Sequence, residues 1–200
     1  MKILIIKTSS LGDIVHSFPA IEDIKKNYPE SRVDFLVDNT FLSTAKLNNS
    51  IDHYFPISLR ETNNQSFIKR LKNLNEEISA SFKNITYDFV IDFQGLIRTQ
   101  IIGSKIKKIS SSKNFIGYDF RSAKEGLFTF LYDRTINVTK NEHAVMRMKK
   151  LAAKCLNYEL NKEHDYGFKQ EDLDKKNKII FVHGSSKRSK EYPLNYWKKL

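Results

Sequence analysis

Short apolar runs alternate with longer amphipathic stretches along the chain, and this alternation constrains the fold more than any other feature. The short runs are rich in β-branched and aromatic residues and predict strands: KILIIK, RVDFLV, HYFPI, YDFVIDFQG, NFIGY and RTINVT. The longer stretches repeat apolar residues at helical spacing and predict helices: IVHSFPAIEDIKKNY, SFIKRLKNLNEEISASF, LIRTQIIGSKI and HAVMRMKKLAAKCL. In the first of these helices, Pro19 predicts a kink or a tight first turn. The alternation of strands and helices predicts an α/β fold with a mostly parallel sheet.

The order of these elements predicts a two-domain organisation. Residues 1–156 form the first domain, and the polar, weakly periodic residues 157–178 are interpreted as a linker. Residues 179–200 start afresh with a strand, a loop and part of a helix, which alone cannot bury an apolar face. We therefore expect the chain to be truncated relative to a complete two-domain protein.

Net charge indicates an anionic partner. The chain carries a formal charge of +11, and residues 101–154 hold 12 Lys/Arg against 4 Asp/Glu. Such a local excess suits nucleic acid, phospholipid headgroups or a phosphorylated substrate, and the alternative is a solvated basic face without a partner. The single cysteine, Cys155, is predicted to pack in the core, and no Cys/His cluster has zinc spacing. No apolar run reaches the ~20 residues of a membrane span, so any membrane role is expected at the surface.

Two loops carry the candidate chemistry. TSSLGD follows the first strand and DFQGL follows a later one, so both lie at the carboxyl edge of the sheet, where ligands bind in α/β folds. Asp13 has no salt-bridge partner evident in the sequence. It is either a helix cap or a general base, and Gly12 would let a ligand approach the backbone closely.

The second loop, GSSKRSK, combines hydroxyls, backbone amides and cations after a predicted strand. Ser185, Ser186 and Lys190 suit a diphosphate, and the alternative is an exposed basic loop.

Taken in order, KTSSLGDIVHSFPAI, DFQGLIRT, EHAV and VHGSSKRSKEYP resemble the motifs of lipopolysaccharide heptosyltransferases in glycosyltransferase family 9, in particular those of type I. The resemblance covers essentially all 200 residues. It implies a GT-B fold, with a Rossmann-like acceptor-binding domain and only the first strand, loop and helix of the Rossmann-like donor domain.

The resemblance also implies an activity and a cellular location. It implies inverting transfer of L-glycero-D-manno-heptose from ADP-heptose to the inner Kdo of Kdo2-lipid A, without a metal, on the cytoplasmic face of the inner membrane. The residue matching Asp13 is the general base, and Ser185, Ser186 and Lys190 hold the donor diphosphate. On the acceptor side the candidate residues are Ser10, Gly12, Arg60, Arg98, Arg121 and Lys124. On this interpretation the partner of Asp13 is a sugar hydroxyl and not a salt bridge.

Three departures from the family pattern qualify these expectations. The hydroxyl pair is often Thr-Thr in the family, the basic cluster after Arg60 is replaced by Glu61 to Asn64, and no Asp-Thr-Gly donor motif occurs in the chain. A non-catalytic protein that binds an anionic glycolipid, or another heptosyltransferase of family 9, therefore remains an alternative. Nucleic-acid binding is supported by the charge alone, because no recognised motif accompanies it, and we expect none.

The missing donor motif predicts that the purified 200-residue chain has no transferase activity. The measurement is transfer of heptose from ADP-heptose to Kdo2-lipid A, and detectable product from the purified chain would contradict the prediction.

Overall fold

The computed structural model describes residues 1–59, 67–168, 179, 184, 191–197 and 199, and describes no side chains for residues 67–72. The chain divides into two compact units, Met1–Lys169 and Gln170–Leu200. Four predicted site residues lie outside the described residues: Arg60, Ser185, Ser186 and Lys190. Of the strand predicted at 179–183, only residue 179 is described.

Six parallel strands form the centre of the first unit, and the α/β prediction is confirmed. The strands are β1 (Lys2–Ile6), β2 (Arg32–Asp38), β3 (His53–Ile57), β4 (Phe89–Asp92), β5 (Asn114–Tyr118) and β6 (Arg134–Ile136). Their order in the sheet is β3-β2-β1-β4-β5-β6. β2 and β3 therefore extend the sheet on one side of β1, and β4, β5 and β6 extend it on the other side.

Helices cover both faces of this sheet. They are α1 (Leu11–Val15), α2 (Phe18–Asn27), α3 (Leu42–Ala45), α4 (Phe67–Phe82), α5 (Ile97–Ile109) and α6 (Ala144–Leu156), with short 3₁₀ turns at Asn39–Phe41 and Thr129–Leu131. The second unit contributes α7 (Leu194–Trp197), where the Tyr192 and Trp197 rings lie 5.2 Å apart. No helix in the described part of the chain is long and apolar enough to cross a membrane.

Alternation along the strands divides the core into two clusters. In β1, Ile3 and Ile5 belong to the cluster that includes Phe18 of α2, whereas Leu4 and Ile6 belong to the cluster beneath α4 and α5. Successive side chains of a strand point to opposite faces, so a continuous apolar run is what a sheet covered on both faces requires.

The predicted first helix is two helices. α1 ends at Val15, and α2 begins at Phe18 with Pro19 in its first turn, where a missing backbone N–H costs least. The Ser17 hydroxyl donates to the Ile14 carbonyl at 2.6 Å across the junction. Pro19 thus marks a tight first turn, one of the two outcomes its position predicts.

Residues 158–168, in the predicted linker, belong to the first unit and pack against the rest of it. Asn49 N–H donates to the Gly167 carbonyl at 3.0 Å, and Phe168 pairs with Asn48 in an isolated bridge. The buried Lys149 of α6 donates to the Glu163 carbonyl and lies 3.3 Å from the buried Asp23. The boundary drawn at residue 156 stays a prediction, because residues 169–178 are outside the described chain.

The contact between α5 and β5 depends on Gly103. An added Cβ would lie 2.3 Å from Cζ of Phe115 and 2.9 Å from Cδ1 of Ile6. We expect Gly103→Ala to lower the free energy of unfolding by about 1–3 kcal/mol, because overpacking outweighs the helix propensity that alanine gains. Chemical unfolding followed by circular dichroism measures this. Gly12→Ala is the matched control, because nothing lies within 4 Å of its added Cβ and its stability should not fall.

Candidate active site

The candidate site lies where β1 and β4 lie side by side and the chain leaves them in opposite directions. In an open parallel sheet, this switch point produces a crevice at the carboxyl ends of the two strands. Residues 7–13 follow β1 and residues 93–99 follow β4, so the two predicted loops meet there. Arg98 donates to the Ser9 hydroxyl at 3.1 Å, and the Ser9 N–H donates to Oε1 of Gln94 at 3.4 Å.

Lys7 is the first residue after β1, and its side chain is only 2 % exposed. Its backbone N–H continues the sheet by donating to the Leu36 carbonyl at 3.1 Å, which fixes the side chain in the crevice. Burial lowers the pKa of the Lys7 ammonium to about 8, against the opposing effect of the nearby Asp13 carboxylate.

Asp13 lies in the first turn of α1 and is about one quarter exposed. Its Oδ2 accepts from the Ser10 N–H at 3.3 Å and from the Ser10 hydroxyl at 3.4 Å. The same oxygen lies 3.9 Å from Nζ of Lys7 and 3.7 Å from Nζ of Lys124. The expectation that Asp13 lacks a salt-bridge partner is therefore wrong, because a buried and a half-exposed lysine both pair with it.

These contacts determine the protonation state of Asp13. Burial disfavours its charged form, but Lys7, Lys124 and the Ser10 N–H outweigh burial and hold the pKa of Asp13 below its ordinary value. The carboxylate is consequently ionised at neutral pH and able to accept a proton.

A buried carboxylate holds the β4 side of the crevice in place. Asp92, at the end of β4, accepts from the Gln94 and Gly95 N–H groups and from the hydroxyls of Thr99 and Tyr132, at 2.8–3.1 Å. Burial raises the pKa of Asp92 even against these four donors. Gly95 has φ +64° and lies close to Ala123 and the backbone of Lys124. The hydrogen bond from Tyr132 to Asp92 and the close approach of Gly95 to residues 123 and 124 bring residues 119–132 against the crevice.

The predicted site residues fall into three groups. Ser10, Asp13 and Lys124 are in direct contact, Arg98 is joined to them through Ser9, and Gly12 lies in α1 with open space beside it. Arg121 lies in the same loop as Lys124 but lines a separate shallow depression with Phe120 and Phe130. Arg60, Ser185, Ser186 and Lys190 are outside the described residues, and the roles of all ten stay predictions.

Sequence reasoning missed several residues of this crevice. A cavity of about 30 Å³, room for a water molecule or two, is lined by Lys7, Gln94, Tyr118 and Arg147 together with Asp13 and Lys124. Arg147 of α6 lies over the Tyr118 ring, 4.9 Å from its centroid, and donates to the Ser122 carbonyl. Lys7 directly follows the first predicted strand, but no local signal marks its burial, and Arg147 reaches the site only through tertiary packing. Within the described residues, no group of three or more His, Cys, Asp or Glu side chains could hold a metal.

Comparison with known proteins identifies the class. The family model for glycosyltransferase family 9 (heptosyltransferase) matches residues 77–200, more than half of the chain. The chain therefore belongs to glycosyltransferase family 9. Lipopolysaccharide heptosyltransferase 1 of Escherichia coli (strain K12) is 28% identical over 206 aligned residues, which cover all of this chain and 63% of that protein.

Solved structures agree with this assignment. E. coli heptosyltransferase WaaC with ADP superposes with a TM-score of 0.88 at 26% identity, covering the whole chain and 63% of WaaC. WaaC with ADP-2-deoxy-2-fluoro heptose gives a TM-score of 0.83 at 28% identity, with 64% of that chain covered. The chain thus spans slightly less than two thirds of the length of these relatives, and the prediction of a Rossmann-like first domain of the GT-B type is confirmed.

The two lysines next to Asp13 generate a direct prediction. Lys7→Met and Lys124→Met should each raise the pKa of Asp13, because each removes a positive charge that stabilises the carboxylate. The measurement is the ¹³C chemical shift of the Asp13 carboxyl carbon as a function of pH. Lys140→Met, which removes an exposed lysine of the same unit, is the control and should leave the titration of Asp13 unchanged.

Proposed function

We propose that this chain supplies the acceptor side and the catalytic base of an inverting heptosyltransferase. The reaction is transfer of L-glycero-D-manno-heptose from ADP-heptose to the inner Kdo of Kdo2-lipid A. The observation that carries the proposal is Asp13, held ionised between Lys7 and Lys124 in the switch-point crevice of the sheet. Family membership and the similarity to WaaC with ADP and with a fluorinated ADP-heptose support the choice of donor.

Asp13 acts on the acceptor hydroxyl. Its carboxylate takes the hydroxyl proton while the hydroxyl oxygen forms a bond to the anomeric carbon of the heptose. The bond from that carbon to the diphosphate breaks on the opposite face, and ADP leaves with the electron pair. The configuration at the anomeric carbon is therefore inverted.

Positive side chains bind both substrates in this proposal. Arg98, Arg121 and Lys124, with Arg60, bind the carboxylates and phosphates of the acceptor, and Ser10 and Gly12 border the reacting hydroxyl. Ser185, Ser186 and Lys190 hold the donor diphosphate in place of a metal cofactor, since hydroxyl donors and a cation can stabilise the negative charge of the leaving group. The excess of Lys/Arg in residues 101–154 suits an acceptor in the anionic inner membrane, approached from the cytoplasmic face.

The proposal predicts that Asp13→Ala and Asp13→Asn lower transfer by at least about a hundredfold, because each removes the base. The affinity for ADP-heptose should remain nearly unchanged. Product formation is followed by mass spectrometry in the presence of EDTA, in extracts of a bacterium deficient in this transfer that expresses the chain. Asp165→Asn, in an exposed loop, is the matched control and should behave as the wild type.

Different results would contradict different parts of the proposal. Turnover like the wild type in Asp13→Ala would remove Asp13 from the mechanism, and loss of turnover in EDTA would remove the metal-free donor site. No transfer in these extracts, with binding of Kdo2-lipid A to the purified chain that survives Asp13→Ala, would replace the transferase by the glycolipid-binding alternative.

A further inference from the structure

The loop at residues 119–131, called here the 119–131 loop, exposes three large apolar side chains. Phe120, Leu127 and Phe130 are 69%, 66% and 73% exposed. Phe120 and Phe130 line one shallow depression, and the backbone of Gly126, beside Leu127, lies against the Phe120 ring. The three side chains therefore share one region of the surface. Single exposed apolar residues are ordinary, but a cluster of them marks a site of interaction.

This exposure is not the result of a loosely attached loop. The Glu125 N–H donates to the Gly95 carbonyl at 3.0 Å, and the Glu125 carboxylate accepts from the Ile97 N–H at 2.8 Å. The Ser122 carbonyl accepts from Arg147, and the Ser122 hydroxyl accepts from the Val138 N–H. One side of the 119–131 loop is thus fixed to the candidate site while the apolar side chains point to solvent.

The charge beside the apolar cluster indicates what it contacts. Arg121 is exposed and lines the same depression as Phe120 and Phe130. In the described part of the chain, no carboxylate lies within salt-bridge distance of its guanidinium. The nearby carboxylates are already engaged: Asp119 accepts from Asn137 and from the Ser122 N–H, and Glu125 accepts from Ile97. Exposed aromatic residues beside an unpaired cation suit the interface of an anionic lipid bilayer.

The size of the cluster favours a membrane over a second protein. Two phenylalanines and a leucine at this exposure present roughly 400 Å² of apolar surface. A stable protein interface needs about 800 Å² from each partner. A bilayer requires no shape complementarity, and shallow insertion of a few side chains is strengthened by attraction between cations and anionic headgroups.

From these observations we infer that the 119–131 loop is a membrane-contacting surface that inserts Phe120, Leu127 and Phe130 into an anionic bilayer. Lys124, in the middle of the loop, lies 3.7 Å from Asp13, so this docking places the candidate base beside the lipid surface. The inference rests on the proposed function for its biological setting and identifies the surface that brings the site to its lipid-borne acceptor.

The test is binding of the 200-residue chain to phosphatidylcholine vesicles with and without phosphatidylglycerol, measured by co-sedimentation. Phe120→Ser/Leu127→Ser/Phe130→Ser should weaken binding to the anionic vesicles by about tenfold or more. Arg121→Gln should weaken it by about fivefold and leave binding to neutral vesicles unchanged. Leu47→Ser/Ile101→Ser replaces two exposed apolar residues elsewhere on the same unit and should bind as the wild type.

A second measurement reports insertion at one residue. In a Trp197→Phe background, Phe130→Trp should shift its emission to shorter wavelength when anionic vesicles are added, whereas Leu47→Trp should not. Circular dichroism of every variant checks that the fold is retained.

Three outcomes would overturn the inference: wild-type binding by the triple variant, no emission shift from Phe130→Trp on vesicles that bind the chain, or a triple variant that loses only self-association. Because the vesicles contain neither ADP-heptose nor Kdo2-lipid A, failure of lipid binding and failure of heptose transfer are observed separately.

Discussion

The buried ammonium of Lys7 is the charge around which the candidate site is arranged. It follows directly from an apolar strand at the centre of the sheet, and an ammonium removed from water costs several kcal/mol unless an opposite charge compensates it. Asp13 provides that charge because α1 begins only four residues later and Ser10 orients the carboxylate. The partly buried carboxylate in turn brings Lys124 toward the crevice, so one buried cation connects β1, α1 and the 119–131 loop.

The strands and longer helices were predictable because each has a local signal, a short apolar run or an apolar stripe at helical spacing. Pro19 even marked the start of α2. The ion pairs of Asp13 were not predictable in the same way. Lys124 lies more than a hundred residues from Asp13. It reaches Asp13 only because the chain crosses back over the sheet and places β4 beside β1 and β5 beside β4. Lys7 was close in sequence, but a lysine after a strand is ordinarily solvated, and its burial beside a cavity that Arg147 and Met148 of α6 also line is a result of tertiary packing.

The 119–131 loop joins two properties that the sequence presents separately. Its basic residues contribute to the charge excess of residues 101–154, whereas no local pattern in the sequence marks Phe120 and Phe130 as exposed. Hydrogen bonds with Gly95, Ile97 and Arg147 fix the loop so that Lys124 approaches Asp13 while Phe120 and Phe130 remain exposed. The same short loop therefore connects the exposed apolar side chains to the ion pair of the candidate base.

Two lysines beside the candidate base Asp13 involve a physical compromise. They lower the pKa of Asp13 and so make it a weaker base, yet they keep it ionised. Their charge would also attract the anionic acceptor of the proposed reaction. A weak base is sufficient if the hydroxyl proton is transferred late, because a hydroxyl whose oxygen is already bonding to the anomeric carbon is far more acidic than a free alcohol. Lys7, with a pKa of about 8, loses part of its charge in mildly alkaline solution, which raises the pKa of Asp13 while leaving it ionised. The pair therefore gains basicity at Asp13 as pH rises without losing the charged form that accepts the proton.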